Sequence, residues 1–182
     1  MTLHFFQKRD LLEKNHIVVW RFHDFWHQDK PDGILHGFLG KMNWRNNLNP
    51  NLANSVILPE ISIKKLAKHL KKTLKLDRPA MIGDPNQTCT KIGLLLGAWG
   101  RNPQIDILQK DIDVLVVGEV SEWETAEYVR DAAAFGMKKG LIILGHIPSE
   151  EPGMEYLVEW LGKHLSDISV YHVGAQDSFQ MV

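Results

Sequence analysis

An apolar run at residues 141–144, Leu-Ile-Ile-Leu, constrains the fold of this chain more than any other stretch. Consecutive branched and long apolar side chains are typical of a short strand that is buried on both faces, as in the parallel sheets of α/β proteins. Gly145 follows and lets the backbone turn sharply as it leaves the sheet. The next residue is His146. The pattern therefore places a histidine at the carboxyl edge of a sheet, where ligands bind in open α/β folds.

The rest of the chain alternates between predicted strands and predicted helices. Further strands are predicted at residues 16–22, 55–58, 80–84, 91–98, 114–117 and 169–173,. Helices are predicted at residues 34–42 and 103–110,. Three more are predicted with a serine as N-cap: Ser62 to Leu74, Ser121 to Phe135 and Ser149 to Leu161,. Residues 5–15 have the pattern of a helix end,. This alternation predicts an α/β fold with mixed, partly parallel sheets flanked by helices, in one body over residues 1–182.

Composition excludes several classes of partner. The chain has 21 basic and 22 acidic residues and a net charge of −1, so we expect neither nucleic acid nor an anionic membrane as a partner,. A single cysteine, Cys89, cannot form an internal disulfide and fits a reducing compartment,. No N-terminal apolar stretch resembles a signal peptide. We therefore expect a cytoplasmic protein.

Histidine and glutamate follow several of the predicted strands. His23 and His27 are four residues apart: on a helix this spacing would place both imidazoles on one face, whereas after the strand predicted at residues 16–22 a turn must bring them together,. Glu119 follows the strand at 114–117, and Glu150 lies close behind His146. Imidazole and carboxylate are ligands of zinc, manganese and iron, and a hydroxide held by such ions is a strong nucleophile near neutral pH. The pattern thus favours a metal site and hydrolysis as the reaction class.

Structural interpretations of the same residues remain open at this point. Residues 20–27 can also form an aromatic cluster with histidines hydrogen-bonded at its rim. Glu150 can serve only as the acidic first-turn residue of a helix. Other catalytic classes are less favoured, because the chain has no G-x-S-x-G motif, Cys89 has no adjacent histidine, and the Gly97-x-x-Gly100 spacing lacks the Lys-Ser or Lys-Thr pair of a phosphate loop,.

The motif G-H-I-P-S-E-E-P-G-M at residues 145–154, followed by E-W-L and preceded by V-V-G-E-V-S-E at residues 116–122, resembles the Nif-three-like family. Its members are also labelled GTP cyclohydrolase type-two homologues. The resemblance implies a dinuclear metal centre in a two-part α/β fold that assembles as a ring-shaped homohexamer. The family motif G-H-x-x-[ST]-E implies that His146 and Glu150 are metal ligands.

A second family motif, H-x-x-x-D, falls on His23 and His27, so that His27 stands in place of a ligand aspartate. Histidine binds the same metals but cannot bridge two ions as a carboxylate can. The resemblance also implies an additional N-terminal portion that this chain lacks. We therefore expect His27, His146 and Glu150 to bind one or two divalent ions, zinc, manganese or iron. His23 is expected either to contact one of these ligands or to act as a catalytic proton carrier.

Two functions fit these expectations. The first is a metal-binding Nif-three-like protein that acts as a metal-dependent hydrolase or cyclohydrolase on a small nucleotide-like or phosphorylated molecule. The second is a non-catalytic assembly or regulatory protein whose metal site is vestigial. Metal analysis of the purified protein separates the two.

Overall fold

A computed structural model describes residues 3–77 and 79–175, and within these ranges the chain forms a mixed α/β structure. The strands are β1 (Ser55–Ser62), β2 (Ala80–Ile82), β3 (Thr88–Leu95), β4 (Val114–Val117) and β5 (Gly140–Ile143). The helices are α1 (Leu3–Lys14), α2 (His23–Gln28), α3 (Gly33–Met42), α4 (Ile63–Leu74), α5 (Arg101–Leu108), α6 (Glu127–Ala134) and α7 (His146–His164). A 3-10 turn lies at Arg45–Asn47, and a π-helical turn at Glu122–Ala126 leads into α6.

The five strands form one mixed sheet in the order β1-β3-β4-β5-β2. The three central strands are parallel, while β1 pairs with β3 and β2 pairs with β5 in the antiparallel sense. Leu95, Val117 and Ile143 lie beside one another in the register of the central strands. The backbone segments that follow β3, β4 and β5 therefore leave the sheet at one edge. The prediction of a partly parallel sheet flanked by helices is confirmed.

The central strand β4 is buried on both faces, as its Val-Leu-Val-Val sequence predicts,. Val114 and Val116 belong to the core beneath α3, α4 and α7, whereas Leu115 and Val117 belong to the core beneath α5 and α6. All four side chains have 0% exposure. Complete burial of a valine or leucine side chain contributes about 1.5–3 kcal/mol, so β4 is the main support for the edge at which the parallel strands end.

Helices α3 and α7 pack in close backbone contact through two glycines. A Cβ atom on Gly37 would lie 2.4 Å from the Pro152 carbonyl oxygen, and one on Gly153 would lie 2.4 Å from the Ile34 Cα. The indole N–H of Trp26 donates to the Gly153 carbonyl at 3.0 Å. Because Trp26 belongs to α2, this bond fixes α2 against α7, which brings the two histidine-bearing helices together.

Two predicted strands are wrong. Residues 16–22 form a turn and an irregular segment outside the sheet, with Val18 90% and Trp20 72% exposed. Residues 169–173 also lack strand pairing and run beside α7. Both segments are rich in β-branched and aromatic residues, but β-propensity mainly reflects fit to a neighbouring strand. Within the described part of the chain, neither segment has one.

The start of the last long helix also differs from its prediction. Ser149 was predicted as the N-cap, but α7 begins at His146, with only Leu144 and Gly145 between it and β5. Gly145 has φ +94°, which lets the chain turn sharply from the strand into the helix,. Ser149 is buried within the first turn, and its hydroxyl donates to the His146 carbonyl at 2.7 Å. As a result, His146 and Glu150 lie four residues apart on one helix.

The other predicted elements agree with the structure within a few residues. Ser62 caps α4, and its hydroxyl accepts from the Lys65 backbone N–H at 3.3 Å,. Ser121 precedes the π-helical turn in extended backbone, but its side chain makes no capping hydrogen bond. Among the helices of residues 3–77 and 79–175, none has both the length and the apolar character needed to cross a bilayer,.

We predict that Gly153→Ala destabilises the protein by about 1–3 kcal/mol, because its methyl group would press α7 away from α3,. Gly162→Ala in the same helix is the control: its Cβ would meet no atom within 4 Å. Alanine is favoured over glycine in a helix by up to about 1 kcal/mol, so this variant should be neutral or more stable. Urea unfolding followed by circular dichroism measures both. Equal effects would contradict the close α3–α7 packing.

Candidate metal centre

Three histidines surround one carboxylate at the edge where the parallel strands end. The starts of α2 and α7 each supply two residues four positions apart, so each pair lies on one helix face,. The carboxylate of Glu150 lies at the centre. His23 Nε2 is 3.0 Å and His146 Nε2 is 3.2 Å from its Oε2 atom, and His27 Nε2 is 3.4 Å from its Oε1 atom.

A subset of these residues has the spacing of a metal site. One ligand atom each from His23, His27 and Glu150 lies within 4.8 Å of the other two. His146 is outside this group of three but contacts the same carboxylate. Two imidazole nitrogens and a carboxylate oxygen are a donor set that zinc and iron bind. The side chains present therefore fit a divalent ion.

Each of the three histidines contacts a second carboxylate through its other ring nitrogen. The Nδ1 contacts are His23 with Asp24 at 3.2 Å, His27 with Asp32 at 3.0 Å, and His146 with Glu119. A proton on Nδ1 that is donated to a carboxylate leaves the Nε2 lone pair available. Histidines that bind metals in proteins are held in this way, which orients the ring and raises its basicity. All three Nε2 atoms face the Glu150 carboxylate.

Asp32 links the position of His27 to the start of α3. Its Oδ1 atom accepts from the backbone N–H groups of Ile34 and Leu35 at 2.9 and 3.1 Å, which makes it the N-cap of the helix. Its Oδ2 atom contacts His27 Nδ1. Sequence reasoning did not identify this residue. An aspartate before a glycine and an apolar helical pattern is an N-cap signal, but it does not reveal which side chain the free oxygen meets.

The charges of the site are coupled. Burial raises the pKa of Glu150, but hydrogen bonds from His27 and His23 and the charge of His146 outweigh burial and lower it. The carboxylate is therefore ionised at neutral pH. The hydrogen bond to Asp32, followed by the one to Glu150, raises the pKa of His27 to about 9 against the opposing effect of burial. A metal ion that binds His27 must displace this proton, so metal binding and proton release are linked.

The segment after β3 closes the other side of the site. A Cβ atom on Gly97 would lie 1.9 Å from Glu150 Oε1, and Gly97 has φ +73°. Its N–H donates to the Ser149 hydroxyl at 2.9 Å. The G-x-x-G sequence at residues 97–100 lacks the residues of a phosphate loop. Its first glycine, Gly97, instead lets the backbone lie against the buried carboxylate. Trp99 follows and lines a cleft of about 400 Å³ together with the histidines.

Cys89 lies apart from the site. Its thiol is 1% exposed and donates to the Ile61 carbonyl at 3.2 Å. Burial, followed by the charge of Asp113, raises its pKa to about 11. The thiol is protonated at neutral pH, which agrees with the prediction that it is no nucleophile.

Comparison with solved structures gives the same fold in several proteins. The Staphylococcus aureus protein SA1388 matches with a TM-score of 0.59 and 22% identity over 70% of this chain and 41% of that chain. A Bacillus cereus protein related to NIF3 matches with a TM-score of 0.56 and 19% identity over 70% of this chain and 35% of that one. Reduced HcgD from Methanocaldococcus jannaschii matches with a TM-score of 0.59 and 19% identity over 88% of this chain and 62% of that one.

At these identities the structural likeness shows the fold alone, and the chain spans less than two thirds of the length of each of the three proteins. A search of curated proteins found no match. A family model supplies the stronger evidence, because it matches residues 10–178 and so covers most of the chain. The chain therefore belongs to the Duf34/NIF3 (NGG1p interacting factor 3) family, the one that its G-H-I-P-S-E motif resembles.

Proposed function

We propose that this protein binds one divalent metal ion through His23, His27 and Glu150 and that it is a metal-dependent hydrolase. The observation that carries the proposal is the convergence of three Nε2 atoms on one buried carboxylate, with every Nδ1 held by an acidic side chain. Membership of the Duf34/NIF3 family is consistent with such a site but does not identify the reaction.

A purely structural ion pair explains this arrangement less well. A protonated His27 already places one positive charge beside Glu150, although it shares that charge with Asp32. His23 and His146 nevertheless both direct Nε2 at the same Oε2 atom. A neutral imidazole carries one N–H, yet His23 and His146 each have an acidic oxygen at both ring nitrogens, so in each ring one nitrogen lone pair would face a carboxylate,. A cation near these atoms gives each Nε2 lone pair a partner.

One ion per chain is the simplest occupancy. In residues 3–77 and 79–175, His23, His27 and Glu150 are the single group of three such donors with the required spacing. Zinc, manganese and iron all accept nitrogen and oxygen ligands of these kinds. Three protein ligands leave a coordination position for water or substrate, which is the pattern of catalytic rather than structural zinc.

The histidines have different roles in this proposal. A bound divalent ion would polarise a carbonyl or phosphoryl oxygen and lower the pKa of a bound water molecule. His146, with 40% of its side chain exposed, is positioned to carry a proton between the cleft and solvent while Glu119 holds its Nδ1 atom,. The sequence pattern suggested the opposite roles for His23 and His146. Ligand atoms of His23, His27 and Glu150 lie within 4.8 Å of one another, which supports His23 as the ligand and His146 as the proton carrier.

The substrate, assembly and location belong to the same proposal. A small nucleotide-like or phosphorylated substrate follows only from the family resemblance, and so does a homohexamer. A cytoplasmic location follows from the single cysteine,. Light scattering and cell fractionation test the last two.

The first test is zinc binding by the metal-free protein, measured by competition with a chromophoric chelator. Wild type should bind one zinc ion per chain. Ala substitution of His23, His27 or Glu150 should each weaken binding by more than about 100-fold, whereas Asp32→Asn, which alters a group that holds a ligand, should cost about 10–100-fold. His146→Ala should cost less than His23→Ala. His4→Ala, at an exposed position in α1, is the control and should change nothing.

A glycine pair provides a second control for the same measurement. Gly97→Ala and Gly100→Ala both place a side chain at a positive φ, but only the first brings a Cβ atom against Glu150. Gly97→Ala should therefore weaken zinc binding and Gly100→Ala should not. Wild-type affinity in the Glu150→Ala variant, or equal effects at the two glycines, would contradict the ligand assignment.

The second test is the reaction. With GTP as the test substrate, the zinc-loaded protein should release product, excess chelator should stop the reaction, and added zinc should restore it. His146→Ala should retain zinc yet lose about 10²–10⁴-fold in rate, because removal of a positioned proton carrier has effects of this size. Hydrolysis that persists in excess chelator, or in a variant with both His146→Ala and Glu150→Ala, would place the chemistry elsewhere in the chain.

A further inference from the structure

A second cavity, of about 660 Å³, opens beside the candidate metal centre. Its size is within the range of cavities that hold small organic ligands, about 300–1,000 Å³. One wall is α7 and the opposite wall is the chain at residues 170–175. His23, His146 and Glu150 line its inner end. The cavity and the Trp99 cleft thus meet at the same three side chains.

The α7 wall is an apolar stripe on one face of the helix. Ile147, Met154, Val158 and Leu161 recur at helical spacing and line the cavity,. A different face of α7 packs on α3 and α2, where Gly153 approaches Ile34 and Tyr156 stacks on Trp26. The helix therefore carries two apolar faces, one packed against other helices and one along the cavity.

The outer wall is the segment at residues 170–175. Tyr171 is 79% exposed and Val173 is 86% exposed, although both line the cavity. His172 Nε2 lies 3.6 Å from Glu151 Oε1, which ties the segment to α7. The sequence predicted a strand here. The segment instead lies without strand pairing along α7, and residues 170–173 all line the cavity.

Most charged side chains of the cavity lie at the end next to the metal centre. Arg21 and Asp24 form an exposed pair there at 3.8 Å, and Asp24 also contacts His23. Glu151 and His172 add a charged contact between α7 and the segment at residues 170–175. Along the Met154–Leu161 stripe the α7 wall is apolar. A ligand that fits has one polar end and one apolar body.

We propose that this cavity binds a small molecule whose apolar body lies along α7 and whose polar, metal-coordinating group lies at His23, His146 and Glu150. The polar half of this inference rests on the proposed metal function, whereas the apolar half does not. The molecule is thus an amphiphilic substrate or product, with the scissile or coordinating group at one end.

The apolar half is tested with n-alkanols from ethanol to hexanol, which have little affinity for a metal. Binding is followed by NMR through the amide shifts of α7 and of residues 170–175. Affinity should rise about fourfold per methylene, the equivalent of about 0.8 kcal/mol for each buried CH₂. Val158→Trp fills the cavity and should weaken hexanol binding at least tenfold. Lys163→Trp, at an exposed position of α7, should leave it unchanged.

Several results would overturn the apolar half. One is an affinity that does not depend on chain length, and another is a Val158→Trp variant that binds hexanol like wild type. A third is a wild-type protein that binds no alkanol and has a larger mass by light scattering than the Val158→Trp variant. That result would show that a second copy of the chain covers this face instead. Circular dichroism of both tryptophan variants verifies that each is folded.

The polar half is tested with n-alkyl hydroxamates from two to eight carbons, on zinc-loaded and chelator-treated protein. Zinc should raise the affinity of every member at least tenfold and leave the gain per methylene unchanged. Equal affinity with and without zinc, in protein shown to contain zinc, would overturn the polar half even if the alkanols bind. Absence of zinc uptake would overturn the metal function, and the alkanol result would still decide the apolar half.

Discussion

The buried carboxylate of Glu150 is the constraint around which this structure is arranged. It is 8% exposed, and transfer of an ionised carboxylate out of water costs several kcal/mol unless charges and hydrogen bonds replace the solvent,. Imidazoles supply that replacement from three positions. Because one oxygen meets two of them and the other meets the third, the carboxylate fixes the relative positions of the starts of α2 and α7.

This arrangement depends on close backbone contacts that only glycine permits. Gly145 lets α7 begin within two residues of the end of β5, which places His146 and Glu150 four residues apart on one helix. Gly97 lets the segment after β3 lie against the carboxylate, and Gly153 lets α3 and α7 approach. The buried strand β4 carries the edge on which these contacts meet. The fold and the site depend on the same element, because α7 both packs on the core and contains Glu150.

Much of the fold could be predicted from the sequence because its signals are local. The apolar runs of β4 and β5 and the cap of α4 need no information from distant residues. Residues 16–22 and 169–173 have the composition of strands, yet pairing depends on a neighbour that the local pattern cannot reveal. The start of α7 was misjudged for a related reason: Ser149 is a good cap residue, but a positive φ at Gly145 made an earlier start possible.

The site was predicted in part. The G-H-x-x-[ST]-E pattern identified His146 and Glu150, and the four-residue spacing identified His23 and His27. The sequence did not show which imidazoles approach each other, because α2 and α7 are distant in the sequence and are brought together by tertiary contacts such as the Trp26 hydrogen bond and the α3 packing. Asp32 and Asp24 were missed for the same reason. A carboxylate that holds a histidine ring has no sequence signature of its own, whereas its other role, as a helix cap, has one.

Anomalous X-ray diffraction at the zinc absorption edge, from crystals of the zinc-loaded protein, tests the central claim most directly. The account predicts one strong peak about 2.0–2.2 Å from His23 Nε2, from His27 Nε2 and from an oxygen of Glu150. A zinc peak bound to other side chains, or bound protein zinc with no peak between α2 and α7, would contradict it.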